Sequence, residues 1–173
     1  EMLKLVKEAI KENSRTPALI AADVEYGPIF IPEIRESRTS MMGLGATNDA
    51  QTAYDYGKVT AIEARSIGAN WTFSPVSDLN RNKRNPLVNN RALTDDTDLA
   101  VKMLPQIVKG MQDNGLAACA KHFPGDGMDY RDQHIVTTAN TLPMYAWQEM
   151  HGKVFQDLIN SGVMSIIFVS VIR

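Results

Sequence analysis

The sequence predicts an α/β fold, a parallel sheet under helices, and three observations carry that reading. Apolar runs that read as strands begin near residues 18, 69, 116 and 163, at intervals of 51, 47 and 47 residues. A segment with helical apolar spacing fills every interval. The runs are apolar on both sides, as strands buried between helices must be. Such alternation fits an open doubly wound sheet or part of a (β/α)8 barrel, and spacing does not separate the two. In either, chemistry gathers on loops that follow the C-terminal ends of strands.

Met2, Leu5, Val6, Ala9 and Ile10 recur at helical spacing opposite Lys4, Lys7, Glu8 and Lys11, so the first dozen residues predict a surface helix covering apolar structure. Asn13, Ser14 and Pro17 end it. Residues 18–22 (ALIAA) are the first strand, closed by Asp23. Residues 24–47, with Pro and Gly interspersed, read as a long connection to a helix capped near Asn48 or Asp49 that runs to about Ile67 and stops at Gly68. Residues 69–76 (ANWTFSPV) are the second strand, and 77–90 form a polar loop carrying Arg81, Lys83 and Arg84. A helix follows over 95–113, bent where Pro105 removes a backbone donor. Residues 116–120 are the third strand and 122–141 a long loop. Pro143 then opens a helix with Met144, Trp147, Met150, Val154, Leu158 and Ile159 on its apolar stripe. Gly162 stops it, and 163–171 (VMSIIFVSV) are the fourth strand.

The 173 residues carry 18 Lys and Arg against 20 Asp and Glu, a net charge of −2 that offers no electrostatic footprint for nucleic acid. With 44% hydrophobic and 22% charged residues the composition is that of a globular protein. A single cysteine, Cys119, forms no intrachain disulfide. No apolar run is long enough to predict a membrane span, and no basic-then-apolar leader opens the chain. The chain starts at Glu1 inside an amphipathic pattern and stops at Arg173 inside an apolar run, so both ends are expected to be cuts in a longer chain. The cytoplasm is slightly favoured as its location, with secretion left open by the apparent truncation.

The densest polar segment is 121–134, KHFPGDGMDYRDQH. Lys121 and His122 follow the third strand directly, where they can aim cationic and donor groups at a ligand, and Pro124, Gly125 and Gly127 shape a defined loop. Asp132 and His134 are two residues apart. In extended chain they face the same way, so the carboxylate can hold one imidazole nitrogen and leave the other free to exchange a proton. The competing reading is a solvated loop. A divalent metal on His122, Asp126, Asp129, Asp132 and His134 is disfavoured, since no His-x-x-x-His or Cys pattern is present, and no cofactor is expected. Residues 43–49 (GLGATND) lack the third glycine of a dinucleotide loop and read as a helix entry. The Arg81, Lys83 and Arg84 cluster reads as solvated, and His151 as structural.

Lys-His-Phe-Pro-Gly-Asp-Gly, four residues, then Asp-Gln-His resembles the loop of family 3 glycoside hydrolases in the β-N-acetylglucosaminidase branch, whose pattern is Lys-His-(Phe/Ile)-Pro-Gly-(His/Asp)-Gly-x4-Asp-(Ser/Thr)-His. Only Gln133 departs from it. Residues 22–27 (ADVEYG) resemble the family's Asp-Gln-Glu-Gly-Gly turn, 40–49 its next helix entry, and 70–80 (NWTFSPVSDLN) its Asn-x-x-Phe-(Ala/Ser)-Pro-Val-x-Asp-(Val/Leu)-Asn strand. Residues 85–91 are similar to its Asn-Pro-x4-Arg loop. The likeness covers essentially the whole chain.

The resemblance implies a (β/α)8 TIM barrel of which residues 1–173 form a partial domain, about strands 2 to 5. It implies removal of terminal β-N-acetylglucosamine from cell-wall or chitin-derived saccharides by a retaining mechanism. His134 would be the acid/base, Asp132 its orienting partner, and Asp23, Arg91, Lys121 and His122 sugar contacts, with Asp78 more structural than sugar-binding. The family nucleophile is an Asp in a Ser-Asp-(Ala/Ser) strand expected beyond residue 173, along with the rest of the barrel as partner. Ser170 stands where the family strand commonly ends near a His. Three alternatives stay open: an inactive carbohydrate-binding fragment, a phosphorylase, and a β-glucosidase of the same family.

Overall fold

The computed structural model describes residues 2–26, 39–169 and 171–172. Helix α1 (Met2–Asn13) forms as its periodicity predicts, but Leu5 is 61% exposed, so this part of the stripe is not covered. Strand β1 is Ala21–Ala22, shorter than the apolar run that contains it. The reason lies in Asn70, whose side chain takes the Ile20 N–H (2.7 Å) and donates to the Ala18 carbonyl (2.8 Å) where backbone pairing would otherwise run.

Residues 41–46, read from sequence as connection, form α2 (Met41–Ala46), capped by the Ser40 hydroxyl, which accepts the Gly43 N–H. Helix α3 (Ala50–Ser66) starts where Asp49 accepts from Gln51 and Thr52 N–H, and Gly68 follows its end at φ +102. Strand β2 (Trp71–Thr72) is followed by a loop ending in a 3-10 turn, Asn89–Arg91. Helix α4 (Thr97–Asp113), capped by Asp96, continues through Pro105.

Strand β3 (Cys119–Phe123) reaches three residues beyond the predicted end, so that Lys121 and His122 belong to it. Strand β4 (Thr138–Ala139) lies in what the sequence marks as loop. The predicted helix after Pro143 is interrupted: α5 (Met144–Trp147) passes through a π turn (Gln148–Gly152) into α6 (Lys153–Asn160). Strands β5 (Ser165–Phe168) and β6 (Val171–Ile172) divide the predicted fourth strand, and Ser170 lies outside the described residues.

Among the described residues, β1 with β2, β3 with β5 and β4 with β6 all pair in parallel. Ala21 and Ala22 align with Trp71 and Thr72, Trp71 bridges Ala117, Val76 bridges Lys121, and Cys119 aligns with Ser165. The order is therefore β1, β2, β3, β5 without reversal, while β4 pairs with β6. Continuous strands of five to nine residues were expected, yet most ladders here are brief, and among the described residues no barrel closes. Pro75 explains one gap, because it has no N–H to donate between β2 and the Val76 bridge. Helices α3 and α4 supply much of the core, with Ala53, Ala61, Met103, Leu104 and Ile107 buried. Among the described residues no helix is long and apolar enough to cross a membrane.

Candidate active site

Parallel register brings the C-terminal ends of β1 and β3 to the same edge of the sheet. Glu25, two residues beyond Asp23, becomes the hub there. Its carboxylate accepts a two-pronged contact from Arg91, Nε and Nη2 each at 2.7 Å, and an ion pair from Lys121 Nζ at 2.5 Å. Burial would raise the Glu25 carboxyl, but the bonds from Arg91 and the charge and bond of Lys121 prevail and hold it at about 2. The Lys121 side chain is 5% exposed and also reaches Asp23 Oδ1 at 3.2 Å. Asp23, 57% exposed, is the open member of the group, with a carboxylate able to accept from a ligand hydroxyl. Tyr56 donates to the Glu25 carbonyl (3.0 Å), and Tyr26 to Asn90 Oδ1 (3.2 Å), which ties the end of β1 to the Asn89–Arg91 turn.

His122 pairs through Nδ1 with Asp78 Oδ2 at 2.6 Å. The other Asp78 oxygen accepts backbone N–H groups from His122 (3.2 Å) and Asp126 (2.8 Å). Burial pushes the Asp78 carboxyl up, and the His122 bond with these donors brings it below its ordinary value. Asp126 moves the opposite way: burial raises it, Gly127 N–H opposes, and the Asp78 charge adds to the rise. Asn85 clips the two loops together, donating to Asp126 Oδ1 (3.0 Å) and the Asp129 carbonyl (2.8 Å) while accepting from Leu87 and Val88 N–H.

Asp132 and His134 do meet. Asp132 Oδ1 accepts the His134 backbone N–H (2.8 Å) and lies 2.9 Å from its Nδ1. The backbone bond from His134, against slight burial, lowers the Asp132 carboxyl, and the ring bond adds to this. With Nδ1 engaged, the 71% exposed ring has Nε2 left for proton exchange. The loop is pinned at Asp129, whose carboxylate takes Arg131 in two-pronged fashion and the Ala139 N–H (2.8 Å), and is held well below the usual carboxylate range chiefly by Arg131. Among the described residues no hydrogen bond or ion pair links Asp132 or His134 to the Glu25 group.

Of the residues singled out in sequence, then, Arg91 and Lys121 converge on Glu25 and Asp23 joins them through Lys121, His122 lies on Asp78, and Asp132 with His134 form a separate exposed pair. Glu25 stands in the sequence among the polar residues that follow strands and Asn85 in the loop before Arg91, but neither is given an organising role there. The signal for Glu25 was its two-residue offset from Asp23, and for Asn85 its place at the head of the Asn-Pro-x4-Arg loop. Among the described residues no three His, Cys, Asp or Glu side chains are grouped to hold a metal ion. Residues 43–46 sit within α2, where a Cβ on Gly45 would stand 2.0 Å from the Leu93 carbonyl oxygen, so those glycines serve packing.

The sequence model described as the glycosyl hydrolase family 3 N terminal domain matches residues 1–172. A beta-N-acetylglucosaminidase/beta-glucosidase from Cellulomonas fimi is 36% identical over 157 residues, 91% of this chain and 28% of that protein. Among solved structures, a beta-glucoside phosphorylase, BglX, bound to 2FGlc, superposes with a TM-score of 0.89 at 33% identity, covering 95% of this chain and 30% of that one. A family 3 beta-N-acetylglucosaminidase from Paenibacillus sp. str. FPU-7 gives 0.88 at 28% identity, over 98% of this chain and 32% of that one. The chain spans less than a third of the length of these relatives.

Proposed function

The chain belongs to family 3 of the glycosyl hydrolases, as its N-terminal domain, and from that premise we propose that it is part of a retaining enzyme that releases terminal non-reducing β-N-acetylglucosamine from cell-wall or chitin-derived saccharides. The observation that carries the reading is the Asp132–His134 pair. His134 gives the proton on Nε2 to the glycosidic oxygen and later takes one from the attacking water, while Asp132 at Nδ1 orients the ring. Asp23, Lys121, Arg91 and His122 hold sugar hydroxyls, with Glu25 and Asp78 fixing the cations and the imidazole so that little reorganisation accompanies binding. The retaining route also requires a nucleophilic carboxylate across the sugar. In this reading it comes from outside residues 1–173, as does the remainder of a (β/α)8 barrel. The unreversed parallel order β1, β2, β3, β5 supports an arc of such a barrel over a doubly wound sheet, whose strand order reverses at a switch point.

Turnover of an aryl β-N-acetylglucosaminide by the intact protein tests this, and full activity in His134→Ala would sink the acid/base assignment. One observation favours a second reading, transfer to phosphate. An imidazole acid/base presents no fixed negative charge to an incoming anion, and the phosphorylase relative shares 33% identity. Product analysis with and without phosphate separates the two: a sugar 1-phosphate marks the phosphorylase, free sugar the hydrolase. Calorimetry with N-acetylglucosamine shows whether residues 1–173 bind sugar without turning it over.

A further inference from the structure

His151 stands out in the packing. Its side chain is fully buried in the π turn Gln148–Gly152, and neither ring nitrogen finds a hydrogen-bond partner among the described residues. Each buried polar atom left unpaired costs about 1–3 kcal/mol, a penalty that an apolar side chain of similar shape avoids. The ring bears that cost in direct contact with a neighbouring turn.

Its neighbours indicate the role. A Cβ at Gly125 would stand 2.4 Å from His151 Nδ1 and 2.5 Å from Cγ, so the ring lies directly against the Gly125 backbone. The Gly125 N–H donates to the His122 carbonyl (2.7 Å), and the next N–H, that of Asp126, donates to Asp78 (2.8 Å). Asp78 in turn holds His122 Nδ1. The same helical segment fixes the preceding residue, since Trp147 Nε1–H donates to the Pro124 carbonyl (2.6 Å), and Asn140 donates to the Gly125 carbonyl (3.2 Å). Burial favours the neutral ring, with the Asp78 charge acting against that and the Arg81 charge with it.

We propose that His151 is a positioning residue: its ring sets the placement of the turn at residues 124–126, and through that turn it sets the contact between Asp78 and His122. It touches no substrate and acts only through the turn. The consequence for sugar binding rests on the role proposed above for His122, whereas the positioning itself does not.

The test uses the intact protein with His151→Phe, His151→Leu and His151→Gln. The readout is the NMR signal of the His122 Nδ1 proton, assigned by a His122→Asn control, which reports the short bond to Asp78. Both apolar variants are expected to unfold at or above the temperature of the unsubstituted protein while this signal moves upfield. KM for an aryl β-N-acetylglucosaminide should rise about tenfold with a smaller change in kcat, and His151→Gln should recover part of both effects. An unmoved His122 signal in the apolar variants would overturn the proposal, and so would failure of both to fold, since His151 would then be a structural residue. Lack of turnover by the unsubstituted protein would instead sink the functional reading and leave the NMR result to decide the positioning role.

Discussion

Replacing Glu25 by Gln would leave Lys121, its side chain almost fully buried, with Asp23 as its remaining anionic partner, and Arg91 without its two-pronged acceptor. Removing one member of a buried ion pair costs about 3–5 kcal/mol, so Glu25→Gln is expected to lower the unfolding free energy by about that much in urea titration. Adding Lys121→Met should restore part of the loss, because the stranded charge goes with it. His134 behaves differently. Its ring is largely exposed and, among the described residues, bonds Asp132 alone, so His134→Ala should leave the thermal midpoint unchanged while cutting turnover of a poor-leaving-group aryl β-N-acetylglucosaminide by about 10²–10⁴. A dinitrophenyl leaving group needs no protonation, and its release should suffer much less. Equal losses on both substrates would contradict the proposed proton-donor role.

At the scale of elements, α3 and α4 approach through two glycines. A Cβ on Gly57 would lie 2.2 Å from the Ile107 carbonyl oxygen, and one on Gly110 would lie 2.1 Å from that of Tyr54. These contacts are backbone, which cannot rotate away. Gly110→Ala is therefore expected to destabilise by about 1–3 kcal/mol despite the better helix propensity of Ala, read as a lower midpoint in urea at constant slope. Both helices were legible in the sequence because periodicity and turn signals act within a few residues: Asp49, one of the two caps expected for α3, accepts its first-turn donors, and α4 begins at Thr97, two residues from the expected start. Strand extents were not legible. The apolar run at 18–22 cannot reveal that the Asn70 side chain will take the Ile20 N–H and the Ala18 carbonyl, nor can two residues at 138–139 announce a pairing with 171–172. The π turn at Gln148–Gly152 was hidden for a similar reason, since one extra residue in a turn leaves the flanking apolar stripes readable as one helix.

Across the whole molecule, the buried charges make stability fall with acid. Glu25 titrates at about 2 in the fold against an ordinary 4.5, so the stabilisation it contributes, about 3 kcal/mol, is complete above pH 4.5 and lost as pH falls toward 2. Asp78, also lowered, has the same sign. His151, held neutral by burial, adds a loss that begins as pH drops through the ordinary histidine range near 6.5, where the unfolded chain takes up the proton first. Asp126, raised by burial, opposes these by favouring the fold once protonated. Urea titrations over a pH series should thus show unfolding free energy declining below about 6.5 and more steeply below 4.5. Glu25→Gln should flatten the lower part of that curve and His151→Phe the upper. The sequence by itself determined the alternation of strands and helices, the 121–134 loop with its Asp132–His134 offset, and the family those residues resemble, because each is written in spacings of a few residues. Only the tertiary structure decided that Glu25 rather than Asp23 is the chief partner of Lys121, that Asp78 holds His122, and that His151 is sealed against Gly125. Desolvation and ion pairing depend on what lies across space, and residues 25, 91 and 121 become neighbours only when parallel strands bring their ends together.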